Sequence, residues 1–353
     1  MKRARYNLMF SLALALVLVG CGPSSEGSSV KARGSDFTGK TKLPDATIGV
    51  LNVLPSSEVT KRWSDAAVSA IKGLGLKMVY ADGKGDPAVW GQAVSGFVQQ
   101  KVDGIVIVGG VQTGPIASQL KQAKSAGIPV VHTGIQSPDP KHLFAGTFAP
   151  NDATFGTVMA DYMKKNLPSG SEWVTLEITA DQGANAPIVS MRPIMEKAGY
   201  PRVGTLDLNI SKDLVSQVTK GSTDLLRGHP KAKLLMACCD FSAGLTVPAL
   251  EQSGHPTVIH ALRYDNLTTL DLIRAGKPVV TAASNSDFNV MTAIDQLVAN
   301  IATGKKFDET VDDAATEYTV IDKTNVPDKG YYYDPAVEVA KFVKKWKSEY
   351  SSK

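Results

Sequence analysis

The sequence predicts an α/β protein built from two doubly wound parallel-sheet domains. Short β-branched runs alternate with amphipathic helical stretches along the chain, a pattern typical of βαβ units. The alternation forms two successive series of similar size. A chain of 353 residues is also too long for one ordinary hydrophobic core, so each series is expected to fold as a domain.

The first series predicts four strands that alternate with helices. The strands are expected at residues 47–54, 77–81, 104–108 and 129–133. The helices are expected near residues 60–74, 88–100 and 116–126. Gly127 follows the third helix as a C-terminal capping signal and separates it from the fourth strand.

The second series predicts five strands and the helices that connect them. The strands are expected at residues 173–178, 203–208, 234–238, 257–262 and 279–283. The helices are expected near residues 152–165, 188–197, 214–227, 243–252, 268–275 and 290–302. A last helix at 335–349 carries an apolar stripe, which predicts that it packs on a domain.

Residues that directly follow strands are the candidates for function. Right-handed crossovers place the C-terminal ends of parallel strands along one edge of each sheet, where α/β proteins bind ligands. The candidate segments are 52–62, 109–114, 132–136, 180–192, 239–241, 264–267 and 284–287.

The N-terminal segment resembles a bacterial lipoprotein signal. Lys2, Arg3 and Arg5 precede a short apolar stretch that ends in Leu18-Val19-Gly20-Cys21. The resemblance implies that residues 1–20 are a signal peptide and that a lipid on Cys21 anchors the protein outside the cytoplasm. Residues 21–45, rich in Gly, Ser and charge, are expected to form a tether. A plain secretory signal with an incidental cysteine is the alternative interpretation.

Charge and cysteine content exclude several classes of function. Removing the three cations of the signal lowers the formal net charge from +4 to +1, so no basic surface for nucleic acid is predicted. Cys238 and Cys239 are adjacent, with Cα atoms about 3.8 Å apart, which favours two thiols over a strained disulfide. We predict no metal and no cofactor, because the histidines and cysteines do not cluster at ligand spacings.

Five local patterns together resemble the type I periplasmic binding proteins of the ribose and xylose group, the solute receptors of ABC importers. The patterns are Val102–Ile107 before a Gly-rich turn, Gly127–Val131, Cys239-Asp240 before a helix, Tyr264–Asn266 followed by Ile273–Lys277, and Leu54-Pro55 followed by Arg62–Asp65. The resemblance extends over residues 46–322. It implies a small sugar-like ligand and a membrane permease as partner.

The resemblance also implies ligand-binding residues at matching positions. Asp265 corresponds to an aspartate that accepts hydrogen bonds from sugar hydroxyls, and Tyr264 to an aromatic residue against the sugar ring. Arg62 and Arg192 correspond to arginines of the two domains. Either Ser284 or Asn285 occupies the polar position near the hinge.

The chain departs from the family pattern at two places that bear on the ligand. Gly134-Ile135 stands where many sugar receptors carry an Asp-Arg pair, and Cys239 stands where the family has a ligand-binding asparagine. A ligand with a carboxylate or with a larger apolar part is therefore an alternative to a sugar. Asp240 is expected either to cap the helix that follows it or to contact the ligand. Trp63 is expected either in the core or against the ligand.

The predicted function is that of a monomeric solute-binding lipoprotein that captures a monosaccharide or polyol by hinge closure and delivers it to a permease. A receptor for an organic acid, nucleoside or signal molecule, used for uptake or for sensing through a membrane kinase, is the alternative. An enzyme is not predicted, since strand-end acids are few and no Gly-x-Ser-x-Gly elbow occurs. A DNA-binding repressor is not predicted either, since the signal occupies the place of its helix-turn-helix.

Hinge closure requires chain crossovers between the domains, which we expect near residues 148–151, 284–287 and 317–320. The N-terminal domain is accordingly expected to comprise residues 46–148 and about 286–316. The C-terminal domain is expected to comprise residues 149–285 and about 317–348.

Overall fold

The computed structural model describes residues 37–136, 139, 142–209, 212–310 and 317–351. The predicted signal peptide, Cys21, residues 22–36 of the tether and residues 311–316 lie outside the described residues. The described chain forms two α/β domains, each around its own sheet, which confirms the predicted fold class.

The N-terminal sheet has five parallel strands in the order β3-β2-β4-β5-β6. After a short strand β1 (Thr41–Lys42), these strands are β2 (Thr47–Asn52), β3 (Lys77–Asp82), β4 (Gly104–Val108), β5 (Val130–Thr133) and β6 (Gly146–Phe148). The helices between them are α1 (Glu58–Gly73), α2 (Pro87–Gln99) and α3 (Thr113–Ser125). Strand β4 is buried along its whole length, as expected for a parallel strand covered on both faces.

The C-terminal sheet has six strands in the order β12-β11-β10-β9-β7-β8. They are β7 (Glu172–Glu177), β8 (Arg202–Asp207), β9 (Ala232–Ala237), β10 (Ile259–Arg263), β11 (Val279–Ala283) and β12 (Thr319–Ile321), the last of which runs antiparallel to β11. The helices of this half are α4 (Asp152–Asn166), α5 (Gln182–Lys197), α6 (Leu214–Gly228), α7 (Ser242–Gln252) and α8 (Leu267–Arg274).

The chain passes between the domains at the three predicted places and at a fourth. It leaves the N-terminal sheet between β6 and α4, and it returns between β11 and α9 (Ser286–Thr303), which packs on β4, β5 and β6. It then re-enters the C-terminal sheet at β12. The fourth passage, over residues 322–334, leads to α10 (Pro335–Glu349) and β13 (Tyr350–Ser351).

Helix α10 belongs to the N-terminal domain, which corrects the expected domain boundary. It packs against α1 and α9, and the fully buried Trp346 donates from Nε1 to Asp295 Oδ1 of α9 at 2.7 Å. Residues 335–348 were expected in the C-terminal domain because they follow β12 in sequence. The apolar face of α10 instead covers the α1–α9 side of the other domain.

Residues 37–45 also differ from the expected tether. Strand β1 pairs with β13, and the Gly39 amide donates to the Tyr350 carbonyl at 2.8 Å. A Cβ on Gly39 would lie 2.0 Å from the Glu349 carbonyl carbon, so this close approach requires glycine. Leu43 is 1% exposed, and the described chain is therefore folded before the predicted end of the tether.

Helix α5 begins six residues earlier than predicted. The Asp181 carboxylate caps it by accepting from the Ala184 amide at 3.1 Å. Pro187 lies inside the first turns of the helix, and the cap at Asp181 sets its beginning. Within the described residues, no helix combines the length and apolarity needed to cross a membrane.

Candidate functional site

A cavity of about 80 Å³ lies between the two domains, at the C-terminal ends of their parallel strands. From the N-terminal domain it is lined by Val53, Leu54, Ser57, Val59, Trp90 and Ile135. From the C-terminal domain it is lined by Ile178, Asp181, Cys238, Cys239, Asp240, Phe241, Arg263 and Tyr264. Ligand pockets are typically roughly 300–1,000 Å³, so the cavity as it stands is smaller than a ring-sized ligand needs.

The N-terminal wall is mostly apolar, with the hydroxyls of Ser57 and Thr60 as its polar side-chain groups. Pro87 at the first position of α2 begins the helix that carries Trp90, whose Nε1 donates to the Val53 carbonyl at 3.0 Å. This bond satisfies the indole N–H, so the remaining, apolar part of the ring can line the cavity. Ile135 adds a branched apolar side chain at the position where the family pattern has charge.

The C-terminal wall contains the adjacent cysteines, which are both free thiols. Their Sγ atoms lie 2.7 Å apart, and Cys239 is 8% exposed. The neighbouring Cys238 thiol and burial raise the pKa of Cys239 well above its usual value. Cys239 is therefore a neutral thiol at physiological pH and behaves as a small apolar wall residue.

Tyr264 occupies a strained position on the same wall. Its φ is 77°, in the left-handed region that bulky side chains rarely adopt. The ring lies against the Arg263 guanidinium, 4.7 Å from Cζ, and edge-on to Trp63 at 5.1 Å. Its hydroxyl is buried and has no hydrogen-bond partner among the described residues. A buried hydroxyl in a cavity wall is available to a ligand.

Asp240 does not cap helix α7, which corrects the first of its two expected roles. Its Oδ2 accepts from Asn266 Nδ2 at 2.6 Å and, across the cleft, from the Val59 amide and Ser57 Oγ, each at 3.4 Å. Burial raises its pKa to about 6, and the nearby Glu58 carboxylate acts in the same direction. The carboxylate therefore faces the first turn of α1 in the opposite domain.

Arg62 connects the two domains beside the cavity. Its Nη1 donates to Asp265 Oδ1 at 2.7 Å, its Nε donates to Asp287 Oδ2 at 3.0 Å, and its Nη2 also reaches Asp287. All three side chains are buried, and we name Arg62, Asp265 and Asp287 the interdomain clasp. Burial raises the pKa of Asp265, and it raises the pKa of Asp287 to about 6, although Arg62 opposes both shifts.

The connecting segment after β12 completes the surroundings of the clasp. Arg62 Nη2 donates to the Tyr333 carbonyl at 2.6 Å, and the Tyr333 amide donates to Asp265 Oδ2 at 2.8 Å. The Tyr331 ring lies 4.1 Å from the Arg62 guanidinium carbon. Asp265 thus has both carboxylate oxygens engaged by the protein.

A second interdomain contact joins two helix N-termini. Glu58, in the first turn of α1, accepts from the Leu267 amide at the start of α8 at 2.7 Å. A carboxylate at a helix N-terminus is stabilised by the unpaired amides there. Asp240 of the C-terminal domain also accepts from Ser57 and Val59 at the start of α1. The first turn of α1 therefore contacts the C-terminal domain through both carboxylates.

The structure brings only part of the sequence-predicted site to the cavity. Cys239, Asp240 and Tyr264 line it. Arg62 and Asp265 come together, but they bind each other and neither lines the cavity.

The remaining predicted residues have structural positions away from the cavity. Trp63 is fully buried in the N-terminal core, and Ser284 is 1% exposed and lies outside the cavity wall. The Asn285 side chain caps α9 by accepting from the Phe288 amide. Arg192 lies ten residues into α5, about 15 Å from its start along the helix axis, and is not a lining residue.

The sequence indicated no individual role for several lining residues, among them Asp181, Ile178 and Arg263. Asp181 and Ile135 fell within the candidate strand-end segments, but Ile178 and Arg263 precede them, because each is at or beside the last residue of its strand. Arg263 Nη2 lies 2.7 Å from Asp152 Oδ1, and both side chains are almost fully buried. An arginine ending a β-branched strand was the available signal for such a buried pair.

Comparisons with known proteins agree with this architecture. A family model described as a periplasmic binding protein domain matches residues 48–306. No curated protein has a sequence that matches the chain.

Solved structures of low sequence identity share the fold. A 5-methylthioribose transporter solute-binding protein from Thermotoga lettingae, in complex with 5-methylthioribose, is 17% identical with a TM-score of 0.72, over 88% of this chain and 99% of its own. An ABC transporter solute-binding protein from Bacillus halodurans with bound myo-inositol is 19% identical with a TM-score of 0.69, over 82% and 98%. One from Mycobacterium smegmatis with bound glycerol is 21% identical with a TM-score of 0.69, over 82% and 99%.

Two α/β domains with a cavity between their strand ends fit a two-domain binding protein. The matched family is one of substrate-binding proteins rather than enzymes. The chain belongs to the periplasmic binding protein family and has the type I fold. The family is extracytoplasmic.

Proposed function

We propose that the chain is the solute receptor of an ABC importer, capturing a small monosaccharide-like or polyol ligand by hinge closure and delivering it to a membrane permease. The observation that carries this proposal is the cavity at the strand ends of both domains, beside the interdomain clasp of Arg62, Asp265 and Asp287. The ligands bound to the solved structures of similar fold support the sugar or polyol class.

In this mechanism the ligand enters while the domains are apart. Closure then brings the first turn of α1 onto Asp240 and Leu267, and Arg62 onto Asp265. A ligand shifts the population toward the closed form only through contacts that the open form lacks. The cavity provides such contacts because both domains line it.

A thermal-shift screen of the full-length protein tests the ligand class. Pentoses, hexoses, polyols, nucleosides and small organic acids are the panel, and a sugar or polyol is expected to raise the melting temperature by mass action. A shift with organic acids or nucleosides alone would contradict the sugar or polyol assignment.

The membrane anchor is a proposal from the sequence. Cys21→Ser is expected to release the protein from the membrane fraction and to abolish incorporation of labelled fatty acid, because the lipid attaches to that thiol. The matched control is Cys239→Ser, which leaves the proposed lipidation position intact. Membrane association that survives Cys21→Ser would refute the anchor.

A further inference from the structure

Most polar side chains that line the cavity already bond within the protein. Ser57 Oγ faces Asp240 Oδ2 at 3.4 Å, and Thr60 Oγ1 donates to the Leu54 carbonyl. Trp90 Nε1 donates to a backbone carbonyl. These groups have little capacity left for ligand hydroxyls.

Four groups remain as polar anchors. The Tyr264 hydroxyl is buried without a partner among the described residues, and Arg263, although ion-paired with Asp152, has buried Nε and Nη2 donors without hydrogen-bond partners there. Asp181 uses Oδ1 to cap α5, while its Oδ2 lies across the cleft, 3.2 Å from where a Cβ on Gly110 would be. Asp240 is the fourth, on the same side of the cleft as Tyr264, with its Oδ2 already engaged by three donors of the protein. A phenol, an ion-paired guanidinium and two partly engaged carboxylates bind a few ligand hydroxyls, not a ring with a hydroxyl on every carbon.

The rest of the wall is apolar and closely apposed. Val53, Val59 and Ile135 lie on one side, and Ile178 and the two thiols lie on the other. A ligand hydroxyl held against these groups loses its water hydrogen bonds and gains none. An alkyl or thioether group in the same place gains from leaving water.

We infer that the ligand is a monosaccharide-like molecule in which an alkyl, thioether or deoxy carbon replaces at least one hydroxyl, and that Cys239 sets this preference. The inference rests on the proposed receptor function and specifies the ligand of the same cavity.

The residue at position 239 determines how polar this part of the cavity wall is. An asparagine, which the family pattern has there, would present two N–H donors and a carbonyl acceptor to the cavity. The buried thiol presents a polarisable surface and only a weak donor. The Cys239 Sγ lies 2.7 Å from the Cys238 Sγ, so one face of this thiol is already in contact with the protein.

Isothermal titration calorimetry of the full-length protein with ribose, 5-deoxyribose and 5-methylthioribose tests the inference. The two apolar-substituted sugars are expected to bind at least about tenfold more tightly than ribose, the lower end of what one methylene is worth in an apolar pocket. Ribose binding equally or more tightly would overturn the inference while leaving the receptor function intact. Failure of all three sugars, with another class binding, would instead overturn the proposed sugar ligand.

Variants at Cys239 test the residue itself. Cys239→Asn is expected to reduce the preference for 5-methylthioribose over ribose by about tenfold or more, whereas Cys239→Ala, which adds no polar group, is expected to retain it. An unchanged ratio in Cys239→Asn would refute the role of Cys239. Cys239→Ser, which adds a hydroxyl at similar volume, supplies the same test where Cys239→Asn does not fold.

Discussion

At the scale of single residues, Arg62 explains why sequence resemblance and structure differ. The resemblance placed Arg62 and Asp265 on the ligand, one from each domain. In the closed structure the guanidinium instead bridges Asp265 and Asp287, all buried. A buried arginine between two carboxylates is much more costly to leave unpaired than to keep paired, so closure brings these groups together.

Removing Arg62 is expected to open the closed form. Arg62→Ala leaves the buried Asp265 carboxylate without its cation from the opposite domain, a loss of about 3–5 kcal/mol for the closed state. Ligand affinity measured by calorimetry should therefore fall by about 100-fold or more.

The neighbouring residue gives a matched control for this variant. Among the described residues, Lys61 forms an ion pair only with Asp65, and its side chain is 63% exposed on the surface of α1. Lys61→Ala should therefore leave the affinity unchanged. Equal affinities for the two variants would show that the clasp does not contribute to closure.

At the scale of elements, helix α10 links the C-terminal end of the chain to the N-terminal domain. Trp346 fills the space against α1 and α9 and donates to Asp295. Trp346→Ala is expected to lower the free energy of unfolding by about 3–5 kcal/mol, through the lost burial and the cavity left behind. Urea denaturation followed by near-ultraviolet circular dichroism measures the change.

Val337 on the same helix provides the comparison. It is 48% exposed, so Val337→Ala should change the unfolding free energy by no more than about 0.5 kcal/mol. A similar loss of unfolding free energy in both variants would show that the buried face of α10 does not stabilise the fold.

The elements most accurately predicted were those with strong local signals. Strands at 104–108 and 279–283 and the helix at 335–349 were placed at their observed bounds, because apolar runs and a Pro-led helix start marked them. Strand β6 was not predicted, since Gly146-Thr147-Phe148 is too short to show a period. The domain of α10 could not be predicted, because an apolar stripe does not identify its partner.

The sequence predicted which strand ends form the candidate site, but it did not predict which side chains contact each other there. The strand-end rule found the segments that carry Asp181, Asp240 and Tyr264. Which charged side chains face the cavity and which pair across the cleft depends on three-dimensional geometry. Trp63 shows the limit, since its helical spacing fits both a core residue and a ligand contact, and the structure places it in the core.

At the scale of the whole molecule, closure is expected to depend on pH. In the closed form, burial raises the pKa of both Asp240 and Asp287 from 3.8 to about 6. Opening exposes Asp240 to water and returns its pKa toward the ordinary value, whereas Asp287 lies on α9 in the same domain as Arg62 and keeps that partner. The closed form therefore binds protons more tightly, so lowering the pH from 8 to 5 should increase the closed fraction, an effect lost as the pH rises through about 6.

Fluorescence energy transfer between one dye on each domain measures this closed fraction. Glu58 faces Asp240, while Arg62, Asp265 and Glu338 act on Asp287, so the two sites can be separated by mutation. Asp240→Asn should flatten the part of the pH profile that Asp240 contributes. A closed fraction that rises with pH would contradict the assigned pKa directions.

In the proposed mechanism, the two domains close on a ligand held between their strand ends. Small-angle X-ray scattering of the full-length protein, with and without the ligand that gives the largest thermal shift, tests it most directly. The ligand is expected to lower the radius of gyration of the wild-type protein and to lower it less in Arg62→Ala. An unchanged radius of gyration at saturating ligand would contradict it.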